Sequence, residues 1–308
     1  MSCQFCDIGK KFAKTGQPDC KLEDVLTNLP QLKAAGIKFI DFTGGEPLLH
    51  QFVPDMLHAA KKLNLRTSIT TNCLLYPERA MELKGLIDLL HFSLDSLNEA
   101  ENDTIRGKGA FSAATESLYL AKQLGERPDL LFTATPDNYK AIVELAQFAQ
   151  EQKTMLLVNP IFKYTWQKKI DAQILDYLEQ FQKLPYMYQN RALHQLIRNG
   201  GNNQQKPRCR AVSSTIVVSP ANEVLFPCFH FQQLALPLKN NWQQIRKSPL
   251  VKLYKKRQGT FSFCANCTIN CYFDPSFFYK LDRYFWLSLL SKLKYGYDKY
   301  LRSKKLIQ

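Results

Sequence analysis

Residues 36–47 read Gly36-Ile37-Lys38-Phe39-Ile40-Asp41-Phe42-Thr43-Gly44-Gly45-Glu46-Pro47, a short apolar run that stops in a glycine turn. A polar-apolar helical stretch, Leu22 to Ala35, precedes it. The same grammar repeats downstream. A helical stretch near Val53 to Leu63 comes before Thr67-Ser68-Ile69-Thr70, and one near Pro77 to Leu86 before Leu89-Leu90-His91-Phe92-Ser93. Phe111 to Leu124 leads into Leu130-Leu131-Phe132-Thr133, and Asn138 to Gln150 into Met155-Leu156-Leu157-Val158. Strands alternating with helices at this interval predict a parallel sheet covered by helices. Five or six such units make a partial or complete barrel, with its chemistry at the carboxyl ends of the strands. The expected class is therefore α/β, a partial (β/α)6-type parallel barrel.

The whole chain has 308 residues, a 45% apolar share and 41 Lys+Arg against 27 Asp+Glu, a formal charge of +14. That is enough for one large domain and a smaller one, and it excludes disordered, collagen-like and disulfide mini-protein classes. No run approaches the ~20 apolar residues that span a bilayer, and the start Met1-Ser2-Cys3-Gln4-Phe5-Cys6 lacks a signal-peptide core. A cytoplasmic protein is expected, with reduced thiols. Its nine cysteines then read as metal ligands, buried thiols or a nucleophile. Spacing favours ligation: Cys3 and Cys6 form a C-x2-C, and Cys264 and Cys267 form another with Cys271 four residues on. Cys20, Cys73, Cys209 and Cys228 stand alone.

The second half changes character. Ile170 to Arg198 reads as a long polar helix, and Asn199 to Gln205 as a linker before Pro207. Thr215 to Ser219 and Glu223 to Phe226 predict a β-hairpin turned by Pro220-Ala221-Asn222, with Cys209 before it and Cys228 after. The expected domains are 1–200 for the barrel with following helices, 201–207 for a linker, 208–275 for a small cysteine-rich extension and 276–308 for a helical tail. In that tail Phe278, Leu281, Phe285, Leu289, Leu293, Tyr297 and Leu301 recur at helical spacing, and eight Lys+Arg against two Asp give a local +6. Such a basic amphipathic helix suits a membrane surface, and the same stripe suits packing on the protein's own barrel. The +14 is spread along the chain without a zinc-finger, RRM or helix-turn-helix signature, so no nucleic-acid partner is expected.

Loops with unusual residues gather at the predicted strand ends: Thr43-Gly44-Gly45-Glu46-Pro47, Thr70-Thr71-Asn72-Cys73 and Ser93-Leu94-Asp95-Ser96. Each alone is ordinary turn chemistry. Together with the amino-terminal cysteine pair and Asp103-Thr104-Ile105-Arg106-Gly107, they resemble the radical S-adenosylmethionine (radical SAM) superfamily over roughly residues 3 to 160. The resemblance implies a C-x3-C-x2-C loop holding a [4Fe-4S] cluster whose open iron binds S-adenosylmethionine, which is cleaved reductively to a 5′-deoxyadenosyl radical that abstracts a hydrogen atom. It implies Cys3 and Cys6 as catalytic cluster ligands, and Gly44, Gly45 and Glu46 for the SAM ammonium. Asn72, Ser93 and Asp95 would line the ribose, and Arg106 would meet the SAM carboxylate. Cys73 stands where the family usually has glycine.

One departure matters. The first cysteine of the C-x3-C-x2-C loop would fall two residues before Met1, so this sequence carries two of the three. The reading we adopt is a start that lies further upstream; the alternative is a degenerate, non-catalytic metal-binding or partner-binding protein that keeps the fold. Cys209, Cys228, Cys264 and Cys267, with Cys271 as a fifth candidate, resemble the twitch or SPASM extension of the superfamily, which implies an auxiliary [4Fe-4S] cluster. Four thiolates would also satisfy a tetrahedral zinc. The implied partners are a small-molecule, sugar, lipid or peptide substrate and a reductant such as flavodoxin or ferredoxin. Through its tail the cytoplasmic protein would also sit peripherally on a membrane.

Overall fold

The computed structural model of the chain describes residues 3–6, 19–162 and 169–302. These divide into two compact units: the described parts of Met1–Gly16, Lys38–Gln189 and Ser291–Gln308, and the described parts of Gln17–Ile37 with Asn190–Leu290. Helix α1 (Leu22–Ala34) belongs to the second.

The first unit follows the expected grammar. Strands and helices alternate as β1 (Phe39–Phe42), α2 (Val53–Lys62), β2 (Arg66–Thr71), α3 (Tyr76–Leu83), β3 (Leu89–Ser93), α4 (Glu99–Arg106), α5 (Ala110–Gln123), β4 (Asp129–Ala134), α6 (Ile142–Glu151), β5 (Leu156–Pro160), α7 (Ala172–Glu179) and β6 (Met187–Tyr188). All six strands lie in one sheet in sequence order, each parallel to the next. This is the (β/α)6 partial barrel. The covering helices close on it through apolar faces: α2 buries Val53, Met56, Leu57 and Ala60, and α5 buries a stripe of alanines with Leu118. Small residues at that face let the helix approach the sheet closely, and Ile69, Phe92 and Phe132 of the strands are fully buried.

The long helix read over Ile170 to Arg198 is instead two helices with the sixth strand between them. Pro185 lacks the N–H that a continuing helix needs, and Tyr186 adopts φ 59°, so the chain turns. Met187 and Tyr188 then pair with Leu156 and Leu157. The polar period hid a two-residue strand.

The second unit contains α1, α8 (Arg191–Arg198), α9 (Ala211–Ser214), β7 (Glu223–Phe226), β8 (Leu234–Pro237), α10 (Trp242–Lys247), α11 (Pro249–Arg257) and α12 (Asn270–Ser276). Its core joins Leu32, Val224, Phe226, Leu238, Trp242, Ile245 and Val251. The hairpin partner of β7 is β8, antiparallel, rather than the expected Thr215 to Ser219. That segment meets β7 through a single Val218–Val224 bridge, with the Ser219 N–H donating to Glu223 at 2.8 Å.

Helix α13 (Arg283–Gly296) runs into a π-helical turn, Tyr297–Leu301. From Ser291 onward it belongs to the first unit. There Lys299 Nζ donates to Asp129 Oδ1 at 2.7 Å and the Tyr295 hydroxyl to Asp129 Oδ2 at 2.6 Å, with Asp129 wholly buried. Lys294 and Arg302 both pair with the buried Asp298. The tail is thus fastened to its own barrel, and three cations read as free charge are engaged internally. Its other side is apolar and outward: Trp286 is 56%, Leu290 52%, Leu293 60% and Leu301 53% exposed. No helix among the described residues is long and apolar enough to cross a membrane.

Candidate functional site

The carboxyl ends of β1, β2 and β3 hand the chain into the loops that carry the expected site residues. Glu46 organises the first. It precedes the 3-10 turn Pro47–Leu49, and its Oε1 accepts from the Leu48 N–H at 3.0 Å and the Thr71 hydroxyl at 2.8 Å, while Oε2 accepts from the Asn72 N–H at 2.7 Å. The carboxylate therefore caps a turn and ties the β1 loop to the β2 loop. Burial pushes its pKa up, opposed by these three donors. An ionised carboxylate has about four acceptor positions, so one remains for a ligand.

Gly44 and Gly45 are exposed, and a Cβ at either would meet nothing within 4 Å. Neither has positive φ, so the fold itself does not demand glycine there. Bare backbone at this edge leaves room for something else to approach. Cys73 behind it is the converse case: it holds φ 71°, in the left-handed region, and is fully buried. That is a backbone geometry glycine adopts at lower cost than cysteine. Burial, then the nearby Glu46, push the Cys73 thiol far up, so it is an inert thiol.

At the β3 end, Asp95 and Arg106 find each other. Arg106 Nε lies 2.8 Å from Asp95 Oδ2, the Thr133 N–H donates to Asp95 Oδ1 at 2.8 Å, and the Asp95 N–H donates to Asn102 Oδ1 at 3.0 Å. Arg106 Nη1 also points at Cys3 Sγ, 4.0 Å away, and its guanidinium lies over the Phe5 ring at 5.6 Å. Backbone bonds complete the cysteine turn: Cys6 N–H to Cys3 O at 3.1 Å and Gln4 N–H to Ile105 O at 2.9 Å. Burial raises the Cys3 pKa and Arg106 opposes it.

Placement thus qualifies the expected roles. Asp95 and Arg106 are each other's partner, and the Asn72 side-chain oxygen accepts from the Leu74 N–H at 3.0 Å. Ser93 is buried at the end of β3. Thr133, which fixes Asp95 from β4, carried no motif signal because its contact crosses strands, and Asn102 in α4 stands outside the motifs read.

The second unit brings together four of the five distal cysteines. Cys209, Cys228, Cys264 and Cys267 line one pocket with Phe231, Phe263 and Tyr272; Cys271 is exposed and lies outside its walls. Burial pushes Cys209 and Cys267 up to about 12 and Cys264 to about 11, with neighbouring cysteines adding to each shift. Among the described residues no group of three or more His, Cys, Asp or Glu is arranged to hold a metal ion. The four cysteines line one cavity.

Asn202 sets this pocket, and reading it as linker missed it. It is 2% exposed; its Nδ2 donates to Gly259 O at 2.8 Å and Cys264 O at 3.1 Å, and its Oδ1 accepts from the Arg208 and Cys209 N–H groups at 3.0 and 3.2 Å. Its own N–H donates to Cys267 O at 3.0 Å. Asn202 therefore bonds to the backbone of three of the four cysteines, two through its side-chain amide and one through its own N–H. Gly201 beside it has φ 85°, and a Cβ there would lie 2.6 Å from the Asn266 carbonyl, so only glycine fits.

Comparison with known proteins bears on the first of these sites. Residues 1–149 match the family model described as the Radical SAM superfamily. An Fe-coproporphyrin III synthase of Methanosarcina barkeri is 33% identical over 156 residues, 50% of this chain and 39% of that protein. An S-adenosylmethionine-dependent nucleotide dehydratase of Lacinutrix mariniflava is 34% identical over 189 residues, 56% of this chain and 38% of that protein. The chain thus spans about two fifths of the length of these curated relatives. In fold it is similar to Streptococcus suis SuiB, solved bound to the precursor peptide SuiA, with TM-score 0.64, 20% identity, and coverage of 87% of this chain and 66% of that one.

Proposed function

Residues 1–149 are a domain of the radical SAM superfamily, and on that premise we propose that this chain is a radical SAM enzyme acting on a peptide or small-molecule substrate. Cys3 and Cys6 would hold the catalytic [4Fe-4S] cluster as two of its three thiolates, and the four-cysteine pocket would hold an auxiliary one. When bound, the cluster and S-adenosylmethionine supply a 5′-deoxyadenosyl radical for hydrogen-atom abstraction.

The observation that carries the reading is the cradle formed by Gly44, Gly45 and Glu46. The backbone edge is bare where a Cβ would meet nothing, and the adjoining carboxylate keeps one acceptor position open. An ammonium group fits that pairing of charge and access. Arg106, paired with Asp95, reaches the cysteine turn through Nη1 toward Cys3 Sγ, and the pairing limits the positive charge beside Cys3. For the pocket, four cysteines lining one cavity beside a radical SAM domain supply the four thiolates that a [4Fe-4S] cluster takes.

The decisive experiment is anaerobic reconstitution of the protein with iron and sulfide, followed by S-adenosylmethionine and dithionite. 5′-Deoxyadenosine should form, and Cys6→Ala should abolish it while circular dichroism is unchanged, because the site is a rim loop. Undiminished product in Cys6→Ala would refute the assignment. A second reading, attachment to a membrane surface through α13, is favoured by its outward Trp286, Leu290 and Leu293.

A further inference from the structure

Helix α11 and the residues before it carry Arg246, Lys247, Lys252, Lys255, Lys256 and Arg257, six cations with no Asp or Glu between 246 and 257. All six are exposed. Among them sit two outward leucines, Leu250 at 44% and Leu253 at 48% exposed. These leucines, with Tyr254, Arg257, Phe261 and Phe263, line a groove on the surface of the second unit.

The groove and the four-cysteine pocket share a wall. Phe263 lines both. Its ring stacks on Phe261 at 5.2 Å and on Phe231 at 5.0 Å, with interplanar angles of 4° and 14°. Phe261 faces the groove and Phe231 the pocket. One layer of aromatic rings therefore separates a basic, apolar-centred surface from four thiols.

We propose that this surface docks an acidic one-electron carrier protein against the wall of the cysteine pocket. The proposal rests on reading the pocket as an iron-sulfur site. The carrier would lose one electron and the centre in the pocket would gain it, with no bond or proton transferred. An apolar patch rimmed by charge is the anatomy of a protein interface, and like-signed cations around it select a partner of opposite sign. A nucleic acid or an anionic bilayer would use the cations and leave the groove without an occupant shaped to it.

The test uses the reconstituted full chain and a purified flavodoxin as probe. Lys252→Glu/Lys255→Glu/Lys256→Glu should raise the flavodoxin Kd at least about tenfold at low salt and flatten its dependence on salt. Leu253→Ser should weaken binding by a similar factor at low and high salt, since its loss is apolar. Both variants change exposed residues, so melting temperatures should match the parent. Unchanged Kd in the triple variant, or binding of a single-stranded RNA or anionic vesicles in place of flavodoxin, overturns the docking. Iron and sulfide assayed in Cys264→Ser report separately on the pocket: no loss relative to the parent overturns the iron-sulfur reading itself.

Discussion

Arg106 Nε lies 2.8 Å from Asp95 Oδ2, with the two side chains 6% and 0% exposed. A buried guanidinium so placed joins the end of β3 to the cysteine turn, because its Nη1 reaches toward Cys3 Sγ. The pair connects the cysteine turn to the sheet that carries the fold.

Asp95→Asn should cost about 3–5 kcal/mol, because it leaves a buried cation without its anion. Arg106→Met in the same background should return most of that loss, which a double-mutant cycle in urea would measure. Asp95 also helps to raise the Cys3 pKa, so its neutralisation should speed alkylation of Cys3 at pH 8. An additive cycle would mean that the pair is not coupled.

Glu46→Gln removes the charge and keeps the shape. SAM affinity should fall by about ten- to hundredfold, equivalent to about 1.5–3 kcal/mol. The pH dependence has a definite sign. Burial raises the Glu46 pKa, so the carboxylate takes up its proton at a higher pH than an exposed glutamate does. Binding should weaken as pH falls toward that value in the parent and stay flat in the variant. The same raised pKa makes the ionised form a cost to folding that grows as pH rises, while the caps to Leu48, Thr71 and Asn72 offset it. A lower melting temperature with unchanged SAM affinity would leave Glu46 a structural cap alone.

The alternation of strands and helices was legible because parallel strands buried on both faces read as continuous apolar runs, as at Leu89 to Ser93 and Leu130 to Thr133. The rim loops were legible because Gly44-Gly45-Glu46-Pro47 is unusual locally. What stayed hidden were pairings at long range. Nothing around Asn202 announces partners at Cys264 and Gly259, some sixty residues away. Nothing around Lys299 announces Asp129, and a charge at a helical period reads as a solvated face until its partner is seen. Met187–Tyr188 was missed because two residues are too few to show a period.

Asn202→Ala should unsettle the four-cysteine pocket. It strands the Cys209 N–H and the Cys264 and Gly259 carbonyls, at about 1–3 kcal/mol for each group left buried without a partner. Melting temperature should drop, and iron per chain after reconstitution should drop with it, while SAM affinity at the first site is kept. Asn202→Asp keeps the acceptor toward Cys209 and loses the donors toward Cys264 and Gly259, so it should fall between the two. Full iron retention in Asn202→Ala would show that the pocket assembles without this amide.

The tail separates two expectations by which face of α13 matters. Lys299→Met leaves Asp129 buried against Tyr295 and His91 with its main cation gone, which should cost about 3–5 kcal/mol. Asp129→Asn in the same chain should return most of it. Truncation before Ser276 removes Tyr295 and Lys299 together, so such a chain should melt lower and aggregate. The outward face behaves differently. Leu290→Ser and Leu293→Ser change residues that are 52% and 60% exposed, so stability should hold within about 0.5 kcal/mol. If α13 meets a membrane, these two changes should abolish co-sedimentation with phosphatidylserine vesicles. Because Lys294, Lys299 and Arg302 are engaged by Asp298 and Asp129, that binding should depend on salt less than a local +6 would suggest. A full chain that ignores vesicles would leave α13 as a fastening for the barrel and nothing more.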